Sequence, residues 1–149
     1  MIKKRASTEL LNKHLTTLGL ENPLYIESEN DLFATNPASA QSAVIFLPKS
    51  KPLIDMTLAL VSEMVAKDGT IVLAGEKDAG IESAKKAYEK NIGPVEQKIV
   101  GNHSALYVGK NQRLGVGKKV EDFISYSPAQ YKNMEIEIAN LPGVFSDGE

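Results

Sequence analysis

Two short runs in the chain place apolar residues side by side without alternation: Ala43 to Leu47 (AVIFL) and Thr70 to Ala74 (TIVLA). Such runs suit strands covered on both faces, as in a parallel sheet. Between them Ile54, Leu58, Val61 and Val65 recur at three- and four-residue steps, with Leu53, Met56 and Leu60 beside them. That spacing makes a wide apolar stripe along one helix. Pro52 falls where a first helical turn tolerates proline, and Lys67-Asp68-Gly69 supplies a stop. Parallel strands need a crossover of this length, and it is right-handed as a rule. A second helix is predicted from Ile81, its stripe made by Ile81, Ala84, Ala87 and Tyr88, with Lys85, Lys86 and Lys90 on the wet side. Asn91 to Pro94 breaks it.

The flanks are weaker. Ser7 reads as an N-cap with Glu9 and Leu10 opening a helix behind it. Leu10, Leu11, Leu15 and Leu18 form its stripe and Gly19 ends it. Asn22-Pro23 is a turn signal, and Leu24 to Ile26 (LYI) a brief strand. Glu27 to Asn30 reads as loop, Asp31 to Thr35 as a short strand or turn, and Asn36 to Ser39 as punctuation. Beyond the second helix, Val95 to Val100 and Ala105 to Gly109 predict a hairpin around a four-residue loop, Gly101-Asn102-His103-Ser104. Asn111 to Lys119 reads as loop, and Asp122 to Tyr126 fits a short helix or an extended segment. Met134 to Ile138 (MEIEI) alternates cleanly and predicts a half-exposed strand. Leu141 to Ser146 is an apolar tail with a turn in it.

A length of 149 residues fits one ordinary domain, which buries about 68–70% of the surface its unfolded chain exposes. Cysteine is absent, which removes disulfides and thiolate metal sites. No apolar run approaches the ~18 residues of a membrane span. The basic start MIKKR has no apolar core behind it, so it does not read as a signal peptide. The expectation is a soluble, cytoplasmic protein. The net charge of −2 argues against a dedicated nucleic-acid module and leaves room for a local basic patch.

Several stretches together then carry a resemblance. FLPKSKPLID, GTIVLAGEKDAGIESA, SALYVGK and NLPGVFSDG, with the opening STELLNKH, resemble the amino-terminal domain of bacterial ribosomal RNA guanine-N2-methyltransferases. The small-subunit (16S) methyltransferase C type is the nearer match and the 23S type the second. The resemblance implies an α/β fold, a degenerate, Rossmann-like, S-adenosylmethionine-methyltransferase-like domain. Its sheet is mostly parallel, with an antiparallel C-terminal hairpin. In that family a second, catalytic domain follows, with a Gly-rich loop for S-adenosylmethionine and an Asn-Pro-Pro-aromatic motif at the target guanine. On this expectation residues 1–140 are the degenerate domain. Residues 141–149 begin the linker to a catalytic domain that is absent here, and Leu141, Pro142, Val144 and Phe145 are interdomain candidates. The stretch Glu29 to Thr35 is short where relatives often hold another helix and strand, which leaves the topology from Glu27 to Ala40 open.

The residues themselves bear on chemistry. A cofactor loop needs glycines after the first strand, whereas Leu24 to Ile26 is followed by Glu27-Ser28-Glu29-Asn30. The loop after Leu47 is Pro48-Lys49-Ser50-Lys51, without the family's catalytic motif. The fragment alone is expected to bind no cofactor and to catalyse nothing, although the resemblance implies that the full-length parent is an S-adenosylmethionine-dependent enzyme. Gly75 to Gly80 has the setting of an anion-binding turn, but Glu76 and Asp78 repel anions, so an ordinary turn is the heavier reading. Lys49, Lys51 and Lys77 are RNA-binding candidates at the carboxyl ends of strands, weighed against a solvated loop. Lys3-Lys4-Arg5 reads as a terminus rather than an RNA arm. His14 and His103 have no ligand cluster, and no Gly-x-Ser-x-Gly elbow is present. Glu27, Glu29 and Asp31 read as a solvated face, and Tyr107 and Phe145 as core or interface anchors. The expected function is a noncatalytic partner domain that supports the catalytic domain and contacts 16S rRNA. The alternative is a free-standing nucleotide-type small-molecule enzyme, marked by a deep polar pocket at the ends of the two central strands.

Overall fold

A computed structural model describes residues 2–27, 38–117 and 125–140. In chain order the elements are α1 (Ile2–Leu18), β1 (Leu24–Ile26), β2 (Ala40–Phe46), α2 (Lys51–Met64), β3 (Val65–Glu76), α3 (Lys85–Asn91), β4 (Gln97–Gly101), β5 (Ser104–Lys110), β6 (Ser125–Tyr131) and β7 (Met134–Asn140). The first five strands form one sheet in the order β1-β2-β3-β5-β4. Its first three strands run parallel, β5 runs against β3, and β4 runs against β5. Only β5 therefore opposes the common direction, and the β4–β5 hairpin is folded back so that its second strand lies next to β3. The expected mostly parallel sheet with an antiparallel hairpin is what the chain forms.

Alternation along the central strands sorts the core into two layers. On one face Ala43, Ile45, Ile71, Leu73 and Tyr107 pack with Ile54, Leu58 and Val61 of α2 and with Ala84, Tyr88 and Ile92 around α3. On the other face Val44, Val72, Ala74, Leu106 and Val108 pack with Leu10 and Leu11 of α1. This two-sided cover explains the unbroken apolar runs: every residue from Ile71 to Ala74 is inaccessible to solvent.

Several local expectations are corrected. Ser7 does not cap α1. The helix begins at Ile2, because Lys3, Lys4, Arg5 and Ala6 are all strong helix formers. Ser7 lies buried inside it, its Oγ 3.4 Å from Ser104 Oγ. Gly19 does end the helix, at a left-handed φ of 67°. The crossover helix α2 stops before Lys67-Asp68-Gly69, because Val65 turns extended to begin β3. Asp68 then takes φ 67° inside the strand, at a register shift between β2 and β3. The helix expected from Ile81 starts at Lys85; Ile81 to Ala84 form turns. The hairpin loop is two residues rather than four: Gly101 pairs with Ser104, and Asn102 and His103 both have positive φ, as a type I′ turn requires.

The segment β6–β7 is a second hairpin, turning at Lys132 and Asn133 with φ of 49° and 64°. The Asp122–Tyr126 alternative falls on it in part, since Ser125 and Tyr126 are strand; residues 122–124 lie outside the described residues. Residues Ser127 to Tyr131 carried no strand signal that the alternation rule recognises. The alternating MEIEI segment is a strand but not half-buried, since Met134 to Glu137 are all exposed. The expectations for Ser28 to Pro37 and for Leu141 to Glu149 also lie outside the described residues.

Tyr88 joins helix to sheet. Its hydroxyl donates to the carbonyl of Ile71 at 2.7 Å, and Gly109 leaves the room, since a Cβ there would sit 2.9 Å from that hydroxyl. Burial raises the phenol well above its ordinary range, and the Glu96 charge adds to this. The folded state therefore holds the phenol protonated. The stability this gives is complete below the unfolded tyrosine's pKa of about 10 and is lost as the pH rises above it. Urea unfolding of the wild type is expected to weaken above pH ~10 by up to about 1.4 kcal/mol per pH unit. Tyr88→Phe is expected to lose roughly 1 kcal/mol at neutral pH and to show a smaller alkaline decline.

Candidate functional site

Ligands of open α/β sheets bind beyond the carboxyl ends of the parallel strands, so this edge is the place to look. After β2 the chain runs through Leu47, Pro48 and Lys49 to Ser50. Ser50 is extended and its hydroxyl accepts from Leu53 N–H at 3.2 Å, starting α2 with Pro52 in the first turn. After β3, Lys77 to Ala79 make a single 3-10 turn closed by Gly80 at φ 87°. Ser83 Oγ then donates to Gly80 O at 2.8 Å. The two ends meet tightly. Leu47 N–H donates to Ala74 O at 2.8 Å, and a Cβ on Gly75 would lie 2.8 Å from Leu47 Cβ and 3.0 Å from Ile81 Cδ1. Ile81 has no solvent exposure. Leu47 and Ile81 therefore pack closely over Gly75 at the ends of β2 and β3.

The edge does have a cleft, displaced sideways between the start of α2 and the segment Ser83–Lys90. It encloses about 290 Å³ and is lined by Lys51, Asp55, Ser83, Lys86 and Lys90 over an apolar wall that includes Ile54. Asp55 is already engaged: Lys90 Nζ lies 3.7 Å from its Oδ2, and Asn91 Nδ2 donates to its Oδ1 at 2.9 Å. Of the three lysines singled out in the sequence, only Lys51 lines this cleft. Lys49 is exposed on the loop before it. Lys77 is exposed on the 3-10 turn, where its backbone N–H donates to His103 O at 3.0 Å. Lys86 and Lys90 stand one helical turn apart, a spacing visible in the sequence. What the sequence did not carry is that α3 packs beside α2 and turns that pair toward Lys51.

Other candidates resolve simply. His103 sits exposed at the tip of the β4–β5 turn and His14 is half-buried on α1. Among the described residues no group of three or more His, Asp or Glu side chains could hold a metal ion. Tyr107 is buried in the core, with Lys98 Nζ 5.7 Å from its ring centre. Leu141, Pro142, Val144 and Phe145 lie outside the described residues. Large apolar side chains are instead exposed on the β6–β7 hairpin: Tyr126 at 64%, Met134 at 62% and Ile136 at 41%. No helix among the described residues is long and apolar enough to cross a membrane.

A sheet of this order covered by helices on both faces defines a three-layer α/β class, and the chain belongs to the family described as Methyltransferase small domain N-terminal, whose profile matches residues 3–126. Its curated relatives include the ribosomal RNA small subunit methyltransferase C of Acinetobacter baumannii (strain AYE). That protein is 34% identical over 104 residues, which cover 70% of this chain and 31% of the relative. The protein of the same name from Colwellia psychrerythraea is 32% identical over 105 residues, covering 69% and 29%. Among solved structures, a 16S rRNA N2 methyltransferase of T. thermophilus, in complex with AdoMet and guanosine, superposes with a TM-score of 0.61. The identity is 18%, over 79% of this chain and 32% of that one; that likeness speaks for the fold. The chain spans about a third of the length of the curated relatives it matches. The resemblance seen in the Pro-Lys-Ser-Lys and Gly-Glu-Lys motifs is thus established at the level of the family.

The close packing over Gly75 can be tested by substitution. Gly75→Ala is expected to destabilise the domain by about 1–3 kcal/mol through overpacking against Leu47 and Ile81. A variant as stable as wild type in urea titration would mean the strand ends have room to spare.

Proposed function

We propose that this chain is the noncatalytic amino-terminal domain of an rRNA guanine-N2-methyltransferase that acts on the 16S rRNA of the small ribosomal subunit. In this reading residues 1–140 form a degenerate methyltransferase-like domain, and Leu141, Pro142, Val144 and Phe145 begin the passage to a catalytic domain in the same polypeptide. That second domain binds S-adenosylmethionine and carries out the transfer. The present domain supports its fold and adds basic contacts to rRNA, with Lys49, Lys51 and Lys77 at the strand ends as contact residues. A ribosomal substrate places the protein in the cytoplasm. The names of the relatives and the one-third coverage support a two-domain parent. The close packing of Leu47 and Ile81 over Gly75 supports a domain without its own cofactor, and it counts against a free-standing small-molecule enzyme.

The observation that carries the supporting role is the β6–β7 hairpin. A lone two-stranded hairpin is marginally stable in water, yet this one holds Met134 and Ile136 in solvent. No strand pairing joins it to the five-stranded sheet among the described residues. Its cross-strand register sets Ala129 opposite Ile136 and Tyr131 opposite Met134. Fully burying an apolar side chain of this size is worth about 1.5–3 kcal/mol. Docking both on a neighbouring domain would stabilise the hairpin and the docked domain together.

The catalytic domain, expressed alone and refolded from urea, is expected to regain more methyltransferase activity when the 149-residue chain is supplied. Met134→Glu with Ile136→Glu is expected to weaken that association by one to two orders of magnitude. Equal recovery with and without the chain would overturn the supporting role. In calorimetry the chain alone is expected to give no saturable heat with millimolar S-adenosylmethionine; a saturable isotherm would overturn its noncatalytic assignment.

A further inference from the structure

We infer that the cleft between α2 and α3 is a docking groove for the sugar-phosphate backbone of RNA, with Lys51 and Lys86 as its two available phosphate contacts. The inference rests on the proposed rRNA role and extends the contact from Lys51, beyond the rim it forms with Lys49 and Lys77, into a groove the sequence did not reveal. Three lysines line the cleft against a single carboxylate, in a chain whose overall charge is negative. That carboxylate, Asp55, is held by Lys90 and Asn91, so its charge is partly offset at the site and the balance of the lining stays positive. Lys51 and Lys86 are both exposed and carry no ion pair among the described residues. Glu82 borders the segment without lining the cleft, and Lys98 Nζ on β4 lies 3.6 Å from its carboxylate.

The lining also says which part of the nucleic acid fits. It contains no aromatic side chain on which a base could stack and no amide or arginine fork to read a base edge. Lysine acts on phosphate as a point charge, whereas bases are read by bidentate donors or by stacking. The groove therefore contacts the backbone without choosing a sequence, and it orients RNA while the neighbouring domain selects the nucleotide.

The test is fluorescence anisotropy of the 149-residue chain with a labelled, mixed-sequence single-stranded RNA across a salt series. Lys51→Gln with Lys86→Gln is expected to weaken binding about tenfold at low salt, and to reduce the slope of log K against log salt by about 1 for each lysine. Lys51→Arg with Lys86→Arg is expected to retain wild-type affinity, which separates lost charge from altered folding. Lys13→Gln with Lys67→Gln, the same charge change at exposed positions on α1 and at the start of β3, is expected to leave both affinity and slope near wild type. Unchanged binding in the Lys51/Lys86 glutamine pair would overturn the groove while leaving the rRNA role standing. Equal losses in the two glutamine pairs would also overturn it, by showing diffuse attraction. Absence of RNA binding by the wild-type chain would overturn the groove and the rRNA contact together; the refolding result on the catalytic domain is independent of it.

Discussion

The buried side chain of Asn111 is the constraint on which the rest of the domain depends. Its amide nitrogen donates to the carbonyls of Ser62 and Val65, each at 2.9 Å, satisfying backbone acceptors at the end of α2 that the helix leaves without partners. Its amide oxygen accepts from Arg113 N–H at 2.9 Å. Its backbone N–H reaches Gly69 O, and its carbonyl accepts from Asp68 N–H, both at 2.8 Å. One residue at the end of β5 therefore fixes where α2 stops, where β3 begins and how the following loop turns. A buried polar group left without partners costs about 1–3 kcal/mol. The close satisfaction at Asn111 excludes most alternative placements of these three segments.

With α2 fixed at its carboxyl end, its amino end is fixed too, and the edge of the sheet takes its form from that. Loop residues after Asn111 wrap the same two helices: Gly115 N–H donates to Asn91 O at 2.8 Å, and a Cβ on Gly115 would lie 2.8 Å from Ser62 Oγ. Asn91 in turn holds Asp55 on α2 through its amide. The two helices are thereby locked side by side along one face of the sheet. A basic cleft lies between the start of α2 and the segment Ser83–Lys90, while Leu47 and Ile81 pack over Gly75. The scaffold is an α/β sheet whose strand ends are tightly packed at Gly75, and three lysines line the cleft at its flank.

The central strand-helix-strand unit was legible because its pattern is strong. Ala43 to Leu47 and Ile71 to Ala74 bear no polar residue that would tolerate only one covered face, and Ile54, Leu58 and Val61 repeat at the helical period. The β4–β5 hairpin was legible through its turn residues, although the loop was read too long, since Gly101 and Ser104 can pair while Asn102 and His103 supply the positive φ. Ser7 misled because a serine before a leucine-rich helix has the composition of a cap, and only packing against Ser104 shows it to be interior. Most of the β6 strand was missed because Ser127 to Tyr131 contains a proline and no apolar alternation; its pairing with β7 is what makes it a strand. Lys86 and Lys90 were visible as the wet side of a helix, but a wet side becomes a groove wall only when another helix stands beside it.

The amino-acid order alone determined the fold class, the direction of the central strands, the absence of thiol chemistry and the missing glycine cradle after the first strand. All of these follow from local composition and from the period of burial. Tertiary structure alone decided that β5 inserts beside β3, that Leu47 and Ile81 pack over Gly75, and that Lys51 and Lys86 line one cleft. It also decided that Met134 and Ile136 remain in water. Those outcomes rest on contacts between residues distant in the chain, whose energies depend on how whole elements dock rather than on any window of sequence.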